Sequence, residues 1–362
     1  MRTAILTVLM ISLAAPVAVA RDAGSYLAGR SAMFASDYDE AARYYARALV
    51  RDPKNEFLLE SAATAYLGLG DLERSNQMAK RFDALGGKNQ LVGMILLGGK
   101  ALDNDWNGLL AALDDGRTVG PLFDGLARAW SLVGAGRMAE ALEAFDQVAS
   151  NQGVEAFGYY HKALALASVG DYEGAARIFS GDAGTTLRLT RRGIVAYAEV
   201  LSQLERNGDA VDLIQSSFGS SLDPYLEDLR ARLINGDAVL FDAVRTPKDG
   251  LAEVFYSIAS ALRSEAQEEY TLLYARMAVG LRRDHIDALL LTAELLEDLE
   301  RYALATEVYD TVPRDDPSFH AAELGRADAL RHSGREDASI EVLRQLTVAF
   351  GHLPRVTCTR GK

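Results

Sequence analysis

The chain has 362 residues, of which 49% are hydrophobic, and it carries a formal net charge of −13. This length exceeds what one compact core usually organises, and the hydrophobic content excludes a disordered chain. The acidic balance argues against a nucleic-acid-binding protein, because phosphates are bound by basic surfaces.

The first twenty residues have the three parts of a secretory signal. A positive charge at Arg2 precedes a short apolar run over 4–15, and small residues follow at Ala18 and Ala20. This order predicts cleavage after Ala20, so that 1–20 is a signal peptide and the mature protein is periplasmic or secreted. The alternative is a membrane anchor, but the apolar run is shorter than the roughly 20 residues that a spanning helix needs. We therefore expect no membrane span.

A turn followed by a small residue recurs along the chain. Such residues stand at Ala41 and Ser75, 34 positions apart, and again at Ala141 and Ala175, also 34 apart. This period, with apolar residues spaced by three, four and seven, is typical of one helix-turn-helix unit per repeat. Because stacked units bury a continuous core, the sequence predicts an all-α superhelical solenoid. Ala163 and Ala293 are expected to be buried where the two helices of a repeat meet.

The repeat pattern divides the mature chain into four parts. We predict an N-terminal array over 21–220, an irregular insert over 221–250, a C-terminal array over 251–353 and a tail over 354–362. The insert holds one short helix, 224–234, followed by chain-breaking Gly and Pro residues. The tail has no helical stripe, and it is either the remnant of a truncated repeat or a short disordered terminus.

With these turns and small residues, the chain resembles the tetratricopeptide repeat family over about 22–353. The resemblance is strongest in the units that hold Ala41, Ala175 and Ala305, and weakest over 91–120 and in the insert. It implies a scaffold between proteins, with no chemistry and no cofactor of its own.

A second, looser resemblance rests on the stretch Gly250-Leu251-Ala252-Glu253-Val254-Phe255-Tyr256. This stretch is similar to one that recurs in exported tetratricopeptide proteins of alphaproteobacteria. The resemblance implies a periplasmic adaptor in an envelope-associated assembly.

The first helix of each unit is expected to line the concave face, which yields the candidate partner-binding residues. In the N-terminal array these are aromatic: Tyr26, Phe34, Phe57, Phe123, Trp130, Phe157 and Tyr160. An apolar groove that is open to water usually binds a segment of another protein, so we expect a protein or peptide partner. The alternative is a tight superhelix in which these residues pack on each other.

Two further hypotheses concern chemistry. Asp103, Asp105, Asn107 and Asp114 have the spacing of a calcium loop, although the repeat frame places an inter-helix turn there, which makes calcium the weaker interpretation. The sequence contains no recognisable catalytic constellation, so we predict a protein that is not an enzyme.

The alternative function is that of an accessory factor or enzyme in cell-wall or exopolysaccharide handling, with its chemistry in the insert. A perturbed acidic pair in a cleft near the insert would favour this alternative. A continuous open groove would favour the scaffold.

Overall fold

The computed structural model describes residues 17–182, 187–220 and 222–350. Within these ranges all regular elements are helices, which confirms the predicted all-α solenoid. Residues 1–16 of the predicted signal and the whole predicted tail lie outside the described residues. The helices are α1 (Val17–Phe34), α2 (Tyr38–Arg51), α3 (Glu56–Leu69), α4 (Leu72–Ala84), α5 (Gln90–Leu102), α6 (Trp106–Asp114), α7 (Pro121–Gly134), α8 (Met138–Ala149), α9 (Glu155–Ser168), α10 (Tyr172–Phe179), α11 (Arg191–Gln203), α12 (Asn207–Phe218), α13 (Pro224–Ile234), α14 (Pro247–Leu262), α15 (Glu268–Leu281), α16 (Ile286–Asp298), α17 (Tyr302–Tyr309), α18 (Phe319–His332) and α19 (Glu336–Phe350).

Consecutive helices pack as hairpins, α1 with α2 through α11 with α12, and again α14 with α15 through α18 with α19. Small residues allow the two helices of a hairpin to approach closely. Ala163 and Ala293, predicted at such contacts, are both fully buried. Ser75 and Ser339 occupy the same slot in distant hairpins, and each hydroxyl donates to a backbone carbonyl twelve residues earlier, at 2.8 and 2.7 Å. The same contact within a hairpin therefore recurs on both sides of the insert.

The insert contains the predicted helix, α13, followed by residues 235–246 without helix. This segment is fastened to α11 through Val239. The Val239 N–H donates to the Ser202 hydroxyl at 2.9 Å, and the Val239 carbonyl accepts from the Gln203 amide at 2.7 Å. Helix α14 then begins at Pro247, before the predicted boundary at 251, because Thr246 caps it and proline suits the first helical position.

The chain's own helices fill the concave face of the N-terminal array. Helix α14 packs on α5, α7 and α9, and helix α15 packs on α3 and α5. Gly250 lies so close to the Trp130 ring that a Cβ at this position would clash with it. Residues 250–255 are all buried, so this part of α14 is surrounded on every side. The array thus closes around the α14–α15 hairpin instead of presenting a continuous open groove.

A buried arginine joins the hairpin to the start of the array. Arg276 of α15 donates from Nε to the Gly68 carbonyl at 3.0 Å, near the C-terminal end of α3. The carbonyls at a helix C-terminus carry partial negative charge, which favours a cation there. Burial lowers the pKa of Arg276 to about 10, so the side chain remains charged at neutral pH.

Candidate partner-binding site

The seven aromatic residues predicted to line one groove lie in three separate places. Phe123 and Trp130 are buried against α14, Tyr26, Phe34 and Phe57 lie on α1 and α3 at the N-terminal end, and Phe157 and Tyr160 line a cleft. The single continuous groove of the prediction is therefore not present in this structure.

Phe123 and Trp130 belong to the interior, so the prediction that they contact a partner is wrong for these two residues. Phe123 packs on Phe255 of α14 with ring centroids 4.8 Å apart. Trp130 is completely buried, and its Nε1 lies 3.1 Å from Nδ1 of the equally buried His161, to which it donates. The physical reason is the tight superhelix, the alternative that the sequence left open.

The residues at the N-terminal end are accessible in part. Tyr26 and Phe57 pack together with centroids 5.3 Å apart, and Phe57 remains 45% exposed. Phe34, the last residue of α1, is 93% exposed. These side chains form no enclosed cavity among those described, and their role in binding stays a prediction.

Phe157 and Tyr160 line a real cleft between α9, α14 and residues 187–190, with a volume of about 250 Å³. The wall from α14 supplies Tyr256 and Ala261, and the segment before α11 supplies Leu187 and Leu189. The wall is mostly apolar, so this cleft is the best-formed candidate site for a partner's side chain.

Sequence reasoning missed Leu187, Leu189 and Tyr256. The two leucines lie in a connection between units, where the repeat pattern carries no information. Tyr256 ends the stretch Gly250–Tyr256, whose near-absence of polar residues was the available signal, because a helix that is apolar all round is buried all round.

An ionic network lies beneath the floor of the cleft, centred on Glu253. The Tyr160 hydroxyl donates to its Oε1 at 2.9 Å, and its Oε2 accepts from Arg192 Nε at 2.7 Å and from His285 Nε2 at 3.1 Å. Burial alone would raise the pKa of Glu253, but Arg192 and His285 hold this pKa well below its usual range. The carboxylate is therefore charged and fully satisfied.

His285 serves this network as a neutral imidazole. Its Nδ1 accepts from the Ala288 N–H at 3.2 Å, which caps α16, while its Nε2 donates to Glu253. Burial, reinforced by the nearby charge of Arg192, lowers the pKa of His285. A neutral ring with one donor and one acceptor nitrogen meets both contacts.

A second cleft, of about 200 Å³, lies on the other side of the network, next to the insert. Arg192 reaches it and binds Asp287 at 2.8 Å and the Ala243 carbonyl at 3.1 Å, in addition to Glu253. Arg282 donates to the same carbonyl at 2.7 Å. These contacts tie α11, the insert and α16 together.

Glu199 is the one acidic group of the second cleft with a strongly raised pKa. Its Oε2 accepts from the N–H groups of Asp242 and Ala243 at 3.0 and 3.2 Å. Burial raises its pKa to about 7, although the N–H donor of Asp242 and the charge of Arg192 oppose this rise. Since the two N–H donors hold the insert, Glu199 has a structural role in this position.

Replacing Glu199 by glutamine is expected to change how stability depends on pH. A carboxyl whose pKa is raised on folding stabilises the folded state below its unfolded pKa and loses this effect as pH rises through about 7. Relative to Glu199→Gln, the wild type should therefore lose about 1–3 kcal/mol of unfolding free energy between pH 4.5 and 8. Urea unfolding at both pH values measures this.

Burial of His161 lowers its pKa to about 4 and makes stability rise with pH in part of the same window. This contribution of His161 is the same in the wild type and in Glu199→Gln, so it cancels when their unfolding free energies are compared. The exposed Glu143→Gln serves as control and should differ from the wild type equally at both pH values. A parallel pH dependence for wild type and Glu199→Gln would contradict the prediction.

The calcium interpretation of the segment after α5 is wrong. Helix α6 begins at Trp106, so Asn107 and most of the supposed loop are helical. Asp105 caps this helix by accepting from the Gly108 N–H at 2.9 Å, and Asp114 pairs with Arg128 at 2.7 Å. Asp103 is the C-cap of α5. The segment is an inter-helix turn, and no cluster of three potential ligand side chains is found in the described part of the chain.

None of the helices described here is both long enough and apolar enough to cross a membrane.

Among known families, the sequence model described as "Tetratricopeptide repeat" matches residues 26–83, 126–184 and 290–354, about half of the chain. These matches include the units of Ala41, Ala175 and Ala305 and omit α5, α6 and the insert. No curated protein matches the chain.

Solved structures of helical repeat proteins are similar to this chain at low identity. Naa15/Naa10 bound to HypK-THB shares 13% identity over 89% of this chain and 68% of that one, with a TM-score of 0.31. Yeast Tom70 shares 13% over 93% and 71%, with a TM-score of 0.27. The TPR domain of P58(IPK) shares 14% over 87% and 99%, with a TM-score of 0.23.

Proposed function

Because this chain belongs to the tetratricopeptide repeat family, we propose that it is a periplasmic scaffold or adaptor that binds a protein partner within an envelope-associated assembly. The observation that carries the proposal is the apolar cleft between α9 and α14. The secretory signal over 1–20 and the resemblance of 250–256 to exported proteins support the periplasmic location.

The cleft suits a partner's side chain better than a cofactor. Its volume of about 250 Å³ lies below the roughly 300–1,000 Å³ typical of sites for whole small molecules. Phe157 and Tyr256 offer aromatic surface, and aromatic groups dominate the binding energy of protein interfaces. The groove that most such arrays would use is filled here by α14 and α15, which leaves the cleft at the edge of this hairpin.

The second cleft favours the enzymatic alternative less, although it lies next to the insert and contains Glu199. Each of its buried ionisable groups is already bound to a protein group. Glu199 binds two backbone N–H groups, Arg192 and Arg282 bind two carboxylates each, and His285 binds Glu253. A general acid or base must be free to reach a substrate. We therefore assign this network to holding the insert in place.

Filling the cleft is expected to abolish partner capture. Ala261 is exposed at its rim, so Ala261→Trp blocks the opening without entering the core. The mature chain immobilised as bait should retain a specific protein from a periplasmic extract, and the Ala261→Trp bait should lose it. Ala139→Trp, on the exposed side of α8, is the matched control and should retain it. Equal capture by all three baits would show that the cleft is not the binding site.

Export with cleavage after Ala20 is a separate expectation. The charged start, the apolar run and the small residues before the cleavage point predict that the mature protein begins at Arg21. N-terminal sequencing of the protein from the periplasmic fraction measures this. A soluble cytoplasmic pool that retains Met1 would refute the location.

A further inference from the structure

The polar groups on the inner wall of the cleft are already engaged within the protein. The Tyr160 hydroxyl donates to Glu253 at 2.9 Å. The Ser257 hydroxyl donates to the Val254 carbonyl at 3.1 Å and lies 3.1 Å from His161 Nε2. A polar ligand group would lose its water and find no free partner there, which disfavours its binding.

Most of the remaining wall is apolar and half-buried, and the polar side chains of Thr190 and Ser260 line it only where it is exposed. Phe157 lines the cleft from α9 and Tyr256 from α14, and Leu187 and Leu189 line it from the segment before α11. Burying a Leu, Met or Phe side chain against such surface is favourable by the hydrophobic effect. The space of about 250 Å³ accommodates one such side chain rather than a helix.

The charge at the rim is positive. Arg188 is exposed and lines the cleft, and it makes no ion pair with any residue that the structure describes. The other charged lining residue, Glu253, is buried and paired with Arg192. In a chain with a net charge of −13, this rim is a local exception.

We propose that the cleft binds an apolar side chain that is directly followed by a carboxylate in an extended segment of the partner. The apolar side chain enters between Phe157 and Tyr256, and the carboxylate meets Arg188 at the rim. This inference rests on the proposed scaffold function and names the chemistry of its partner. The carboxylate is that of an Asp or Glu side chain within the segment, and recognition of a chain end is an outcome that the test separates from it.

Fluorescein-labelled peptides with blocked ends provide the probes for an anisotropy titration with the mature chain. One peptide has the sequence Gly-Ser-Gly-Phe-Asp-Gly-Ser-Gly, and two others replace Phe by Ser or Asp by Lys. A fourth, Gly-Ser-Gly-Phe, ends in a free carboxylate and is compared with its amide. We expect the Phe-Asp peptide to bind, and the Ser peptide to bind about tenfold or more weakly because it buries no apolar side chain.

Two protein variants assign these effects to the cleft. Arg188→Glu should reverse the preference between the Asp and Lys peptides, because the sign of the rim charge is inverted. Ala261→Trp should abolish binding of every peptide, and Ala139→Trp should leave it unchanged. Circular dichroism confirms that each variant is folded. A preference for the free-carboxylate peptide over both its amide and the Phe-Asp peptide would overturn the assignment of the carboxylate to a side chain.

Equal binding of the Phe and Ser peptides, or an Asp preference that persists in Arg188→Glu, would overturn the inference. The experiments also distinguish a failure of the proposed peptide chemistry from a failure of the scaffold function. If Ala261→Trp loses a captured partner while no peptide binds, the cleft is a partner site and the proposed chemistry is wrong. If peptides bind in the cleft but no protein is captured through it, the scaffold function is wrong.

Discussion

Replacing Glu253 by alanine is expected to lower the free energy of unfolding by about 3–5 kcal/mol, because it deprives the buried charge of Arg192 of one of its two carboxylate partners. Glu253 is 1% exposed and accepts from Arg192, His285 and Tyr160. Its removal leaves three buried donors without an acceptor: Arg192 Nε, His285 Nε2 and the Tyr160 hydroxyl.

Urea unfolding followed by circular dichroism measures this change. Glu294→Ala is the matched control, since Glu294 also pairs with an arginine, Arg263 at 2.7 Å, but its side chain is 51% exposed. Exposed pairs contribute roughly 0–1 kcal/mol, so this variant should remain close to the wild type. Similar losses in the two variants would show that the network around Glu253 does not stabilise the fold.

Replacing Trp130 by alanine is expected to cost about 3–5 kcal/mol, the range for removing a large aromatic from a core. The ring is completely buried, packs on Phe145 with centroids 5.6 Å apart and lies against Gly250. Its loss opens a cavity between α7 and α14 and leaves His161 Nδ1 without its donor. The effect should be on stability and not on partner binding as such.

Phe34→Ala is the control for this second prediction, because it removes a large aromatic that is 93% exposed. Surface substitutions of this kind usually stay within about 0.5 kcal/mol. Thermal and urea unfolding of both variants provide the comparison, with peptide binding measured on the folded fraction. A Trp130→Ala protein as stable as the wild type would contradict the prediction.

The repeat period could predict the contacts between neighbouring helices, because the same contacts recur in each repeat. The spacing that placed Ala41 and Ser75 in one slot also predicted the burial of Ala163 and Ala293, and each of these contacts lies within one hairpin or between adjacent ones. Proline and glycine signals were enough to place α13 at 224–234. Such local features depend on residues close in the sequence.

The position of α14 could not be predicted from the period. Whether Trp130 faces water, a partner or the chain's own helix depends on how far the superhelix turns over many units, and small rotations per repeat determine this. A large aromatic residue on the concave face is compatible with all three environments. The cleft residues Leu187 and Leu189 are likewise set by an inter-unit connection, for which the repeat frame has no rule.

The bond between Arg276 and the Gly68 carbonyl joins residues 208 positions apart. Ordinary repeat arrays are quasi-one-dimensional, because each unit touches only its neighbours, and they can lose terminal units one at a time. Here α3 cannot unfold without losing its contacts with α15, and α15 also packs on α5. The N-terminal array and the α14–α15 hairpin should therefore unfold together in a single cooperative transition. During synthesis, the array should complete its fold only after residue 276 has been synthesised and has packed against the first repeats.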